Sequence, residues 1–123
     1  MKKIIKLVCA DDNEFVYVNP KRVFQVANLA LPAAWTRVSG REFKIDVKGS
    51  WDEIRKLFCA REFVELVSLR SKASVLVNAD EILEWHEQDG GVFLEFDGRG
   101  YVVEGTLEEV TAKIEKALEE GAR

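Results

Sequence analysis

The sequence predicts an α+β fold: two tandem repeats of short, mostly antiparallel strands, each repeat followed by one helix and the pair related by a pseudo-two-fold axis. The first observation behind this is internal recurrence. At an offset of 59 residues, Leu7-Val8 aligns with Leu66-Val67, and Val16-Tyr17-Val18-Asn19 with Val75-Leu76-Val77-Asn78. With one residue dropped, Gly40-Arg41-Glu42-Phe43 falls on Gly98-Arg99-Gly100-Tyr101, and with two more, Trp51-Asp52-Glu53-Ile54 falls on Leu107-Glu108-Glu109-Val110. Apolar positions, turns and helix starts recur in one order, the mark of an internal repeat. The second observation is a pair of capping boxes, Ser50-Trp51-Asp52-Glu53 and Thr106-Leu107-Glu108-Glu109. In each, the hydroxyl accepts from the N3 amide while the Glu side chain accepts from the cap amide. The third is period-2 alternation over short segments bounded by Gly, Asn and Asp.

Taken in order, residues 3–9 read as an apolar strand broken by Lys6, and 14–18 as a second with Phe15 and Tyr17 on one face and Val16 and Val18 on the other. Residues 23–29 form a third. Residues 35–38 and 42–47 flank Ser39-Gly40-Arg41, a short Gly-containing hairpin connection. The first capping box starts a helix over 51–60, with Trp51, Ile54, Leu57 and Phe58 on one face. The second unit repeats the pattern as strands 62–69, 73–77, 82–87, 92–96 and 101–104, with Asp89-Gly90-Gly91 and Asp97-Gly98 supplying positive-φ turns. Its helix spans 107–120, with Leu107, Val110, Ile114 and Leu118 on one face and Gly121 as the stop signal. Arg61-Glu62 runs straight into the next strand and leaves no flexible linker. Units 1–60 and 61–123 are therefore expected to share one core, because a unit of about 60 residues is marginal alone.

At 47% hydrophobic and 33% charged, the composition is that of an ordinary soluble globular protein. No run approaches the ~20 apolar residues of a membrane span. The start, Met1-Lys2-Lys3-Ile4-Ile5-Lys6, is too interrupted for a signal peptide, so the cytoplasm is the expected compartment. Cys9 and Cys59 form no metal-like pair and read as free thiols. Charge is split: residues 1–60 carry 11 Lys/Arg against 7 Asp/Glu, residues 61–123 carry 7 against 15, and equivalent positions differ in sign, Lys6 against Glu65, Asp11 against Arg70, Lys21-Arg22 against Asp80-Glu81 and Arg37 against Glu95. Two units of opposite charge would attract across an internal interface; drift on solvated faces reads equally well.

Little in the chain points to catalysis. His86 is the single histidine and sits among Glu84, Glu87 and Asp89. A Cys–His nucleophile pair would need Cys9 or Cys59 to meet it in a site that lowers the thiol pKa. Gly98-Arg99-Gly100 lacks the third glycine of a phosphate-binding loop. Helix carboxylates Glu108, Glu109, Glu115, Glu119 and Glu120 read as a solvated face. No enzyme, metal site or cofactor is expected. Nucleic acid is not an expected partner either, because the pI is about 5.1 and phosphate recognition needs clustered basic charge. Lys21, Arg22, Arg37, Arg41, Lys44 and Lys48 read instead as partners for the acidic second unit.

One stretch departs from the recurrence. Residues 27–34 are apolar where residues 86–91 are polar, and contiguous exposed apolar surface marks interaction sites. Leu29, Leu31, Pro32 and Trp35 are the candidate surface for a protein partner or self-association; the alternative is a loop folded over an open end of the core. Arg41 and Arg99, equivalent in the two units, are the candidate clamp for a small anionic ligand, or else solvated hairpin residues. The expected function is a non-catalytic protein-interaction or accessory module, the alternative a small-ligand-binding protein with a pocket between the repeats.

Residues Val77-Asn78-Ala79-Asp80-Glu81-Ile82 through Gly98-Arg99-Gly100-Tyr101-Val102-Val103 and Thr106-Leu107-Glu108-Glu109-Val110 resemble a small bacterial family, the FlbD/SwrD proteins associated with flagella and swarming motility. The shared pattern is an N-A-x-x-I strand, a G-K/R-x-Y/F-V-V strand and an S/T-x-E-E-V helix start. Val18-Asn19-Pro20 and Gly40-Arg41-Glu42-Phe43 echo it in the first unit. The resemblance implies a small non-catalytic accessory protein, bacterial, whose dimer-like arrangement is here covalent. It carries no functional residue across.

Overall fold

Among the described residues, burial alternates along several short segments, and ten short strands result. The computed structural model describes residues 4–29, 35–40, 43–58 and 62–121. The strands are β1 (Ile5–Val8), β2 (Phe15–Val18), β3 (Val23–Leu29), β4 (Trp35–Gly40) and β5 (Lys44–Val47), then β6 (Phe63–Val67), β7 (Ser74–Asn78), β8 (Glu84–Gln88), β9 (Gly91–Phe96) and β10 (Arg99–Val103). Helix α1 (Trp51–Leu57) follows β5, and α2 (Leu107–Gly121) follows β10.

All pairings are antiparallel, in three sheets: β1-β2, a central β5-β4-β3-β7-β6, and β10-β9-β8. Single bridges attach the small sheets to the two edges of the central one, Cys9 to Val47 and Ser68 to Val103. The expected α+β pair of pseudo-two-fold units, each a sheet with its own helix, is not what forms. The chain is β-rich, and its central sheet mixes three strands from the first half with two from the second. The β3–β7 ladder, Gln25 to Val77, Val26 to Leu76 and Ala27 to Val75, uses the two edges that would otherwise bound separate units. Recurrent apolar positions specify strands, and which edges meet is a tertiary matter.

Alternate residues of the central sheet serve two cores. Val26, Val38, Val47, Phe63 and Leu76 pack with Ile54 and Phe58 beneath α1. Val64, Leu66, Val75 and Val77 pack with Val92, Leu94, Phe96 and Val103 and with Val110, Ile114 and Ala117 of α2. Phe24 belongs to this second core, because the register of β3 shifts between Val23 and Gln25. Asn78 is buried yet satisfied: its Nδ2 donates to Val23 O at 3.0 Å and its Oδ1 accepts from Asp80 N at 3.2 Å.

Both capping boxes form, with Ser50 paired to Glu53 and Thr106 to Glu109 through reciprocal bonds of 3.1–3.2 Å. The helical faces differ in detail from the expected ones. Helix α1 stops at Leu57, which is 51% exposed, so only Ile54 and Phe58 of its stripe are fully buried. In α2, Leu107 is 38% exposed and Ala117 takes its place in the core. Ser39 and Gly40 are not a turn but the end of β4. A Cβ on Gly40 would stand 2.6 Å from Arg22 O, so glycine is required by close backbone approach.

Candidate functional site

The hairpin between β6 and β7 is the best-defined exposed cationic feature. Its tip is tightened by Ser68 N donating to Ala73 O and Lys72 N to Ser68 O, both at 2.9 Å. Two hydroxyls add to this: Ser71 N donates to Ser68 Oγ at 3.4 Å, and Ala73 N to Ser71 Oγ at 3.2 Å. These bonds hold Lys72 at φ +64°, a left-handed conformation that a lysine reaches only when its surroundings enforce it. Arg70, Ser71 and Lys72 are left exposed at the tip. Lys72 Nζ lies 2.8 Å from Glu104 Oε2, at the end of β10. Among the described residues no ion pair restrains Arg70.

The β1–β2 hairpin has the same backbone and the opposite charge. Asn13 N donates to Cys9 O at 3.1 Å, Cys9 N to Glu14 O at 2.8 Å, and Asn13 takes φ +61°. Its tip is Asp11-Asp12, with Asp12 Oδ1 accepting from Glu14 N. An anion is therefore drawn to one ribbon and repelled by the other. Lys48 donates from Nζ to Asn13 Oδ1, which places one positive charge beside this acidic tip.

The expected partner surface lies at the same end of the central sheet as the basic hairpin. Ala27 pairs with Val75, so Asn28 and Leu29 run out beside Ser74 and the 68–73 turn. Leu29 pairs with Trp35, which is half-buried. Leu31 and Pro32 lie outside the described residues, as does Arg41.

Arg99, one half of the expected anion clamp, is exposed on β10, and its counterpart Arg41 is not among the described residues. The Arg99 guanidinium rests over the Phe24 ring, 5.7 Å from the centroid, a cation–π contact. It borders a cavity of about 50 Å³ lined also by Gln25, Ser39, Phe96, Gly100 and Tyr101. Two polar atoms at this cavity, Gln25 Oε1 and the Tyr101 hydroxyl, are buried with no hydrogen-bond partner. Burial pushes the Tyr101 phenol far above its ordinary pKa, so it stays protonated.

Some of the remaining charged groups are paired. Arg37 grips Asp46 through two bonds of 2.7 and 3.2 Å, which hold the carboxyl below and the guanidinium above their ordinary ranges. The pair lies within the first half of the chain, so Arg37 does not neutralise the second. Lys44 pairs with Ser39 across the ladder, at the end opposite the basic hairpin, where Lys21 and Arg22 also lie. Among the described residues, Lys21, Arg22 and Lys44 thus gather at that end, away from Arg70 and Lys72. Arg55 does cross to Glu65, at 3.3 Å. His86 is exposed on β8; its hydrogen bonds to Glu84, then to Gln88, raise its pKa, and its ring lies over Phe93 at 5.4 Å. Among the described residues no three metal-ligating side chains converge, and no helix is long and apolar enough to cross a membrane. Sequence reasoning passed over Arg70 and Lys72; the signal present was the sign reversal of Asp11 against Arg70 at matched turns.

No family model matches the chain, and no curated protein matches it. A solved domain has the same fold. It is described as the LytTr DNA-binding domain of a methyl-accepting/DNA response regulator from Bacillus cereus, and it superimposes with a TM-score of 0.64 at 19% identity. The match covers 93% of this chain and 97% of that one, so the likeness takes in all three sheets together rather than one half.

Proposed function

We propose that this protein is a non-catalytic double-stranded DNA-binding module of the cytoplasm, contacting DNA through the 68–73 hairpin and the adjoining end of the central sheet. The observation that carries the reading is the whole-length likeness to a LytTr DNA-binding domain. The exposed Arg70-Ser71-Lys72 tip supports it. A two-stranded ribbon fits the major groove, about 12 Å wide, where a guanidinium can meet base edges or phosphates.

The LytTr likeness overturns two expectations: the protein-interaction accessory role with its ligand-pocket alternative, and the exclusion of nucleic acid as a partner. The low pI misled because it is an average. Acidic residues crowd α2 and β8, while contact with DNA needs only a local cationic tip. A net charge of −4 makes general attraction to DNA weak, so a few loop contacts carry the binding. Each phosphate neutralised makes the dependence of log affinity on log salt steeper by about 0.9.

The test is fluorescence anisotropy with a pool of randomised duplexes at low salt, followed by selection for a preferred site. Saturable binding with an enriched sequence is the expected result. A flat isotherm, with no sequence enriched over successive rounds, would sink the reading.

A further inference from the structure

We propose that Glu104 tunes the specificity of this interface by holding the Lys72 ammonium back from the phosphate backbone, leaving Arg70 as the unrestrained cation at the tip. The inference rests on the DNA reading above and deepens it, adding a residue outside the hairpin.

Both partners are positioned by their backbones. Lys72 is fixed by its amide bond to Ser68 O and its left-handed φ. Glu104 is fixed by its own amide, which donates to Val67 O at 2.8 Å, by fully buried Val103 before it, and by the Thr106 cap after it. The ion pair therefore joins two anchored chain segments, the end of β10 and the hairpin beside it, so its formation orders little further backbone.

Its surroundings extend the effect. An open cleft of about 520 Å³ beneath the hairpin is lined by Glu65, Ser74, Glu104 and Lys113 among others. A phosphate at Lys72 must share its ammonium with the Glu104 carboxylate 2.8 Å away, whereas one at the tip meets Arg70. With the Lys72 and Glu104 side chains 68% and 39% exposed, the pair is solvent-screened, so the restraint is graded. Backbone contacts are blind to sequence, so a restrained lysine lowers non-specific affinity more than specific affinity.

The experiment compares wild type, Glu104→Gln, Lys72→Ala, the double variant and Glu108→Gln on one duplex of arbitrary sequence across a salt series. Glu104→Gln should bind about threefold more tightly, with a salt slope steeper by about 0.9, one extra phosphate contact. On the Lys72→Ala background the same substitution should leave the slope unchanged, and Glu108→Gln, which removes a charge without touching Lys72, should also leave it unchanged. A wild-type slope for Glu104→Gln, or a gain that persists without Lys72, overturns the proposal. In either case Arg70→Ala would still weaken binding, so the tether can fail while the DNA reading stands. If neither wild type nor Glu104→Gln binds any duplex at low salt, both fall together.

Discussion

Phe24 of the central sheet stacks on Phe96 of the three-stranded sheet, with ring centroids 5.4 Å apart and planes 23° from parallel. Phe96 passes the stack on to Tyr101 at 5.9 Å, and the Arg99 guanidinium lies over the Phe24 ring. The column crosses from one sheet to the other, so it orients β10 and with it Glu104, at the foot of the basic hairpin. Packing in the core and charge at the surface are linked through these rings.

Phe96→Ala should cost about 3–5 kcal/mol, the usual range for emptying a packed aromatic site. Urea denaturation reads this directly. A loss under 1 kcal/mol would mean that the two sheets do not rely on the column.

Tyr101→Phe should be neutral or stabilising by about 1 kcal/mol, because the hydroxyl is buried without a partner and its removal ends a desolvation cost. Thermal melting of the two proteins side by side decides it. A clear loss of stability would show that the hydroxyl is hydrogen-bonded in solution.

Asp46→Asn should cost up to about 1 kcal/mol near neutral pH, a figure kept small by the partial exposure of the Arg37–Asp46 pair. The sign follows from the depressed Asp46 carboxyl. Its contribution is complete above its ordinary pKa of 3.8 and is lost as the pH falls through the lower folded value. Wild type and variant should therefore converge in acid. A gap that stays constant down to about pH 2 would contradict the pairing.

Arg70→Ala should weaken DNA binding most for the preferred site, by about 1–3 kcal/mol if the guanidinium reads a base edge. Equal loss on every duplex, with a shallower salt slope, would make Arg70 a phosphate contact instead. No change on any duplex would remove the hairpin from the interface.

Much of the local structure was legible because short-range chemistry specifies it. The helix starts follow from Ser50 with Glu53 and Thr106 with Glu109, since a capping box is complete within four residues. Strand β3 was legible to the residue, and the positive φ of Asp89, Gly90 and Gly98 follows from turn chemistry. Leu57 was misread because helical periodicity continues past the point where α1 ends and Phe58 turns inward. The candidate site was barely legible. Asp11 against Arg70 stood out as a sign reversal, but nothing in their spacing says that both sit at hairpin tips of one shape.

The sequence by itself determined most of the strands, several of the turns and the starts of the two capped helices. Each depends on contacts within a few residues or on the alternation of one strand. Only the tertiary structure decided that β3 pairs with β7, so that one central sheet replaces two units. It alone brought Glu104 to Lys72. Those outcomes depend on edges and charges tens of residues apart, and no local pattern encodes which of several compatible edges will meet.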